Sequence, residues 1–330
     1  MHSGKLFELI LKDIGFITGI ELLGDTVYHY IAYIVLFIGF VYIIARYQAS
    51  SLVKTRKLLH EKETAYEEIT RQRQELENKN RSITDSIIYA SYIQQSLLPS
   101  EDYFRNILPD SFIFFKPKDI VSGDFYWIAR KKGKIFIVAA DCTGHGVPGA
   151  LMSMIGVELL NKIILDHGTV QPALILEILG RGIERTFHID SDKKLLMKDG
   201  MDVGLCVIND EKRELQYSGA FLPMYLIRDN KLTEIKGERL TLGIGGDLSL
   251  KNTRLKINPG DIIYLFSDGY ADQFGGPNDK KFMYRRFRHL LLTIHKFPLE
   301  EQKMILKDSI ESWINGRDQV DDIMIIGIKP

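Results

Sequence analysis

Aspartates stand at the ends of apolar runs in four places along this chain, and in that setting they could gather a hard metal ion. Asp141 lies within KIFIVAADCTGHG (residues 134–146) and Asp268 within DIIYLFSDGYAD (residues 261–272). In each, an apolar run too continuous for a solvent-facing strand stops at a carboxylate and gives way to glycine. Asp124 in SGDF and the pair Asp321/Asp322 in QVDDIMIIGI repeat the pattern. Taken singly, such an aspartate is a turn or helix-cap residue. Strand ends can bring several of them to one sheet edge, where an oxygen-only set favours magnesium or manganese over zinc or copper.

Bulk composition narrows the classes. The 330 residues suggest about two domains plus smaller segments. Charges balance at 43 basic and 43 acidic residues, which argues against a nucleic-acid footprint. Cys142 and Cys206 are the only two cysteines, far apart in apolar settings, as expected in a reducing compartment without disulfides. With no CxxC pair, a structural zinc site is not expected.

Ahead of the aspartates lie the elements that must carry them. Residues 27–45 form 19 consecutive positions without Asp, Glu, Lys or Arg. At ~1.5 Å rise per residue this is a transmembrane helix, long enough for most of a ~30 Å hydrocarbon core. Tyr28, Tyr30, Tyr33, Tyr42 and Tyr47 gather toward its ends, and Arg46, Lys54, Arg56 and Lys57 follow it, which places the C-terminal bulk in the cytoplasm. Residues 1–26 hold a short amphipathic segment over 5–23. Residues 46–98 are rich in Glu, Lys, Arg and Gln, and Ile69, Leu76, Ile83, Ala90 and Leu97 keep a seven-residue spacing that Ile87 and Ile93 thicken. That pattern is a coiled-coil helix favouring a parallel homodimer, although Gln72 and Lys79 weaken the seam. Pro99 ends it.

Residues 99–330 are the remaining domain, of α/β class. Strands are expected at 112–116, 125–129, 134–140, 203–208, 214–218, 224–228, 254–257, 262–266 and 323–329, and helices at 148–165, 172–187, 279–294 and 299–314. Tight polar turns at 130–133, 209–213 and 229–231 make hairpins, hence antiparallel sheet. One competing pattern is Gly144-His145-Gly146-Val147-Pro148-Gly149, a literal dinucleotide-binding fingerprint with Asp166 about twenty residues on. The hairpins argue against it, as does Asp141, which would set a negative charge beside a pyrophosphate.

The ordered set of motifs resembles the metal-dependent serine/threonine phosphatases of the protein phosphatase 2C type, and more narrowly their SpoIIE-like branch. The pieces are KPKDIVSGDFY (residues 116–126), AADCTGHGVPGALMS (139–153), GMDVGLCVI (200–208), YSGAFLPMYLIR (217–228), LGIGG (242–246), GDIIYLFSDGYAD (260–272) and DQVDDIMIIGI (318–328). The resemblance implies a two-sheet antiparallel β-sandwich flanked by helices, here behind a transmembrane helix and a coiled-coil helix. It implies two Mn2+ or Mg2+ ions and hydrolysis of a phosphorylated regulatory protein of the anti-sigma-factor-antagonist type, with hydroxide as nucleophile.

By the same resemblance Asp141 is shared by both ions, with the Cys142 backbone carbonyl beside it. Asp268 and Asp321 complete the first ion's ligands, and Asp124 binds through water or stands behind the ligands. Asp321 is preferred to Asp322 because the second position is often Asn in the wider superfamily. Cys142 replaces a glycine or small residue, which leaves the carbonyl intact. His145 either protonates the leaving oxygen or shapes its loop, and Lys118 either contacts the substrate phosphate or is a solvated charge. Asp202 reads as structural and Cys206 as core. The competing reading is a catalytically inactive, membrane-tethered coiled-coil scaffold carrying a phosphatase-like binding domain.

Overall fold

The computed structural model describes residues 25–144, 146–187, 199–209 and 211–330. The amphipathic segment expected over residues 5–23, and His145, lie outside them. Two units separate, one up to Arg81 and one comprising Ser82–Pro330.

Helix α1 spans Asp25–Leu97 in one run of 73 residues, of which the part up to Arg81 belongs to the first unit, so residues 27–45 and 46–97 belong to one element. Its apolar stretch has the length and composition to cross a membrane, and none of that stretch is buried. Further along, Ile69 and Leu76 are exposed. Ion pairs such as Arg73–Glu77 at 2.9 Å and Lys79–Glu75 at 2.7 Å run along the solvated surface, each worth only a few tenths of a kcal/mol.

The second unit is an α/β domain with two five-stranded sheets, and every pairing between its described strands is antiparallel. One sheet runs β1 (Ser111–Lys116), β12 (Ile323–Ile328), β9 (Ile262–Phe266), β6 (Met224–Arg228), β7 (Lys231–Ile235). The other runs β2 (Phe125–Lys131), β3 (Lys134–Cys142), β4 (Met201–Asn209), β5 (Glu214–Ala220), β8 (Thr253–Lys256). A small ribbon pairs β10 (Phe274–Gly275) with β11 (Lys280–Lys281). Helix α2 (Glu101–Ile107) precedes β1 and is capped by Ser100, whose Oγ accepts from the Tyr103 amide at 3.1 Å.

Alternation along the strands builds the layers. In β3, Ile135, Ile137 and Ala139 face the core between the sheets, where they meet Ile263 and Leu265 of β9 and Met324 and Ile326 of β12. Phe136, Val138 and Ala140 face outward beneath α3 (Val147–Leu160) and α4 (Pro172–Phe187). On the far side Tyr264, Phe266 and Ile325 pack under α6 (Met283–Ile294) and α7 (Leu299–Ile314). Both faces of the central strands of each sheet are buried, which explains why these strands read as continuous apolar runs. Helix α3 and the π turn that continues it, Val147–Asp166, together also have the length and composition of a membrane span, but half of that stretch is buried in the fold.

Several boundaries differ from expectation for local reasons. The helix expected over 148–165 changes at Asn161–Asp166 into a π turn. The helix expected from residue 279 starts at Met283, because Asp279 takes a positive φ of 48° and Lys280–Lys281 pairs as β11. The edge strand β7 was not expected, since most of its residues are exposed and polar. It is formed by a hairpin in which Asp229 and Asn230 both adopt positive φ, 50° and 59°.

The last turns of α1 dock through polar rather than seam residues. Gln94 is buried; its Nε2 donates to the Ser122 carbonyl at 2.6 Å and the Ser153 Oγ at 2.8 Å, and its Oε1 accepts from the Ser122 amide at 3.1 Å. Replacing Gln94 with Ala leaves buried partners unmatched, which costs about 1–3 kcal/mol. We expect Gln94→Ala to lower the thermal midpoint by several degrees in calorimetry; an unchanged midpoint would show that water replaces the amide.

Candidate metal centre

The core-facing register of several strands continues one step past the apolar core and there becomes carboxylate. In β2, Tyr126 and Ile128 face the inter-sheet core, and Asp124 has the same parity. Asp141 follows Ala139 in β3, Asp322 precedes Met324 in β12, and Asp202 shares the parity of Cys206 and Ile208 in β4. Asp141 and Asp202 are direct cross-strand partners. Asp268 lies just past β9 at the start of α5 (Gly269–Asp272), and Asp321 just before β12. The sandwich thus closes at one end on acid from both sheets.

These charges disturb one another. Burial raises the Asp124 carboxyl well above its ordinary value, and the charge of Asp141 raises it further. Asp141 is raised in the same way, first by burial and then by Asp268, Asp321 and Asp202. Burial, then Asp321, Asp272 and Asp202, push Asp268 up to about 6. Like charges in a poorly solvated pocket call for a counter-charge.

The donor set fits hard divalent cations. Asp124 Oδ2 is buried without a hydrogen-bond partner. A Cβ on Gly123 would lie 2.8 Å from the Gly144 carbonyl oxygen and 3.2 Å from that of Cys142, so both oxygens press against this backbone. The Cys142 side chain packs in the outer apolar layer and burial raises its thiol, which leaves the carbonyl as its only ligand group. Among the described residues no three His, Cys, Asp or Glu side chains are gathered closely enough to hold an ion by themselves. Such an arrangement suits Mg2+-like cations, which keep water and take one or two carboxylates, rather than an all-protein cage.

Asp321 and Asp322 separate cleanly. Asp322 is buried; its Oδ1 accepts from the Lys118 amide at 2.7 Å, and its Oδ2 accepts from the amides of Gly123 at 2.7 Å and Asp124 at 3.4 Å. Its oxygens are therefore committed to holding the loop that presents Asp124. Asp321 Oδ1 accepts from the Asp322 amide at 2.9 Å and is only half-buried. Lys118 meets this network through its backbone.

Of the dinucleotide-like glycines, Gly144 and Gly146 take positive φ, 87° and 71°, while Gly149 serves packing. A Cβ on Gly149 would lie 2.2 Å from the Gly144 carbonyl oxygen, and the flanking strands β3 and β4 are antiparallel neighbours rather than a parallel crossover.

Asp202, read from its sequence as structural, also faces this acidic end. It lines one cavity of about 360 Å3 with Asp141 and Asp268, and its Oδ1 accepts from Thr241 Oγ1 at 2.7 Å. Its β4 parity was the available signal. Tyr284 and Arg288 of α6 line the same cavity and carried no motif.

Because Asp268 is raised from 3.8 to about 6, the folded chain binds more protons than the unfolded one across that window. Its contribution therefore makes the metal-free fold less stable as pH rises through the window. We expect Asp268→Asn to raise the midpoint at pH 7.5 in EDTA by a few degrees, at ~2–4 °C per kcal/mol for a domain of this size. Mn2+ should stabilise the wild type more than the variant. A lower midpoint for the variant in EDTA would contradict this electrostatic account.

Residues 131–330 match the family model described as stage II sporulation protein E (SpoIIE). The phosphoserine phosphatase RsbU of Bacillus subtilis (strain 168) is 29% identical over 203 residues, covering 60% of this chain and 57% of RsbU. The match thus spans a little over half the length of that relative. The solved SiaA-PP2C domain of Pseudomonas aeruginosa superposes with a TM-score of 0.69 at 32% identity, covering 76% of this chain and 98% of that one. The PP2C phosphatase domain of SpoIIE from Bacillus subtilis, with a fragment of its regulatory domain, gives 0.55 at 16% identity over 67% of this chain and 63% of that one, a likeness of fold. Since the family model covers more than half of the sequence, this chain belongs to the SpoIIE family, with a domain of the protein phosphatase 2C type.

Proposed function

We propose that this chain is a membrane-anchored, metal-dependent protein serine/threonine phosphatase. Its substrate is phosphoserine or phosphothreonine on a regulatory protein of the anti-sigma-factor-antagonist type, within a partner-switching pathway. The carrying observation is the end of the sandwich where Asp124, Asp141 and Asp268 crowd together with raised proton affinities and the charge of Asp321 acts on all three. Family membership and the likeness to a phosphoserine phosphatase support the same reading.

In this proposal two Mn2+ or Mg2+ ions are held by Asp141, the Cys142 carbonyl, Asp268 and Asp321, with Asp124 acting through water or from behind the ligands. Bound there, the ions supply a nucleophile from water at neutral pH and neutralise phosphoryl charge, the two needs of a very slow hydrolysis. Asp322 fixes the backbone at residues 118–124, so the carboxylate of Asp124 is presented in one place. His145 and Lys118 are assigned to the substrate phosphate, as proton donor and as electrostatic contact.

Residues 27–45 are proposed as the membrane span, with Arg46, Lys54, Arg56 and Lys57 on the cytoplasmic side. Residues 46–98 join two copies through the seam of Ile69, Leu76 and Ile83, all exposed in the single chain.

Two measurements test this reading. Hydrolysis of p-nitrophenyl phosphate by the full chain in detergent should require Mn2+ or Mg2+ and fall about a hundredfold or more in Asp141→Asn, since metal-ion catalysis supplies several kcal/mol. A folded chain without turnover under either metal would favour the binding-only scaffold. For the dimer, sedimentation velocity should show two copies for the wild type and one for Ile69→Asp/Leu76→Asp, and a monomeric wild type would rule the seam out.

A further inference from the structure

The turn between β5 and β6 holds a large aromatic residue in a backbone state that phenylalanine rarely adopts. Phe221 has φ +65° and is 58% exposed. For a bulky residue this left-handed geometry is an outlier, and glycine or asparagine would occupy it at less cost. The turn is braced against relaxation. The Phe221 amide donates to the Glu238 carbonyl at 2.8 Å, the Leu222 amide to the Ala220 carbonyl at 2.8 Å, and buried Tyr217 Oη to the Leu222 carbonyl at 2.6 Å. A Cβ on Gly219 would lie 2.5 Å from that same Leu222 oxygen, so the turn packs without slack.

A rigid turn displaying an exposed phenylalanine points from an observed outlier toward function. Its location says which one, because Phe221 lines the cavity of about 360 Å3 that also contains Asp141 and Asp268. Pro223 and Tyr284 continue the apolar wall, and Arg288, which donates to Glu234 at 3.2 Å, supplies a charged edge. This cavity is at the small end of the range for ligand sites, with room for a reacting side chain and one neighbour.

We infer that Phe221 is a specificity residue: its ring seats an apolar side chain adjacent to the phosphorylated serine or threonine of the protein substrate, and so sets which phosphosite enters. The inference rests on the phosphatase reading and adds the class of flanking residue that reading leaves open. A ring held by its backbone contributes contact area at little entropic cost, as aromatic anchors of binding surfaces do.

The test uses the full chain in detergent with Mn2+ and three probes: p-nitrophenyl phosphate, a phosphoserine heptapeptide with leucine on both sides of the phosphoserine, and the same peptide with glycine there. The wild type should favour the leucine peptide by about tenfold in kcat/KM, the scale of one apolar contact in a pocket. Phe221→Ala and Phe221→Gly should both bring that ratio toward one, the second without backbone strain, while Phe221→Trp retains it. Dividing each peptide rate by the p-nitrophenyl phosphate rate of the same preparation removes differences in folding or metal loading. A wild type indifferent to the flanking residue, or a preference that survives in Phe221→Ala and Phe221→Gly, overturns the inference. Absence of p-nitrophenyl phosphate turnover in the wild type instead defeats the phosphatase reading and this inference with it.

Discussion

Crowding of like charge at one end of a β-sandwich is the constraint around which this domain is organised. Asp124, Asp141, Asp202, Asp268 and Asp321 come from both sheets and from distant parts of the chain, and burial together with the charges of their neighbours raises the cost of ionising Asp124, Asp141 and Asp268. An acidic end of this kind is tolerable only while a counter-charge or shared protons compensate it. The apolar layers between and outside the sheets must supply the stability that lets strand ends remain in so unfavourable an arrangement.

The support around that end is mostly backbone. Asp322 spends its oxygens on the amides of Lys118, Gly123 and Asp124, which converts one carboxylate into a clamp for the loop carrying another. Gln94, at the end of the long helix, grips the neighbouring Ser122 through both its amide and its carbonyl. The loop ahead of Asp124 is thus held from β12 on one side and from α1 on the other. Within residues 82–330, the position of the helix end and the presentation of a site carboxylate are mechanically connected.

Much of this is legible in the amino-acid sequence. Asp141 and Asp268 announce themselves because a strand buried on both faces reads as an unbroken apolar run, and its abrupt end in carboxylate and glycine is conspicuous. The hairpin turns likewise disclosed antiparallel sheets and disfavoured the dinucleotide fingerprint at Gly144–Gly149. Other features were hidden for physical reasons. Strand β7 is a polar edge, so its sequence has no buried face to show. Asp202 carried a signal only in its parity relative to Cys206 and Ile208. The different hydrogen bonding of Asp321 and Asp322 was not legible, because the three backbone amides aimed at Asp322 come from residues about 200 positions away. Phe221 was invisible as a functional residue, since its positive φ follows from packing among residues 217–238 rather than from its own preference.

The most direct test of the account is anomalous diffraction at the manganese edge from crystals of the full chain grown with Mn2+. Two peaks are expected among Asp141, the Cys142 carbonyl, Asp268 and Asp321, with the carboxylate of Asp322 still bound to its three amides. Manganese absent from this end of the sandwich at saturating concentration, or bound by Asp322 in place of Asp321, would contradict it.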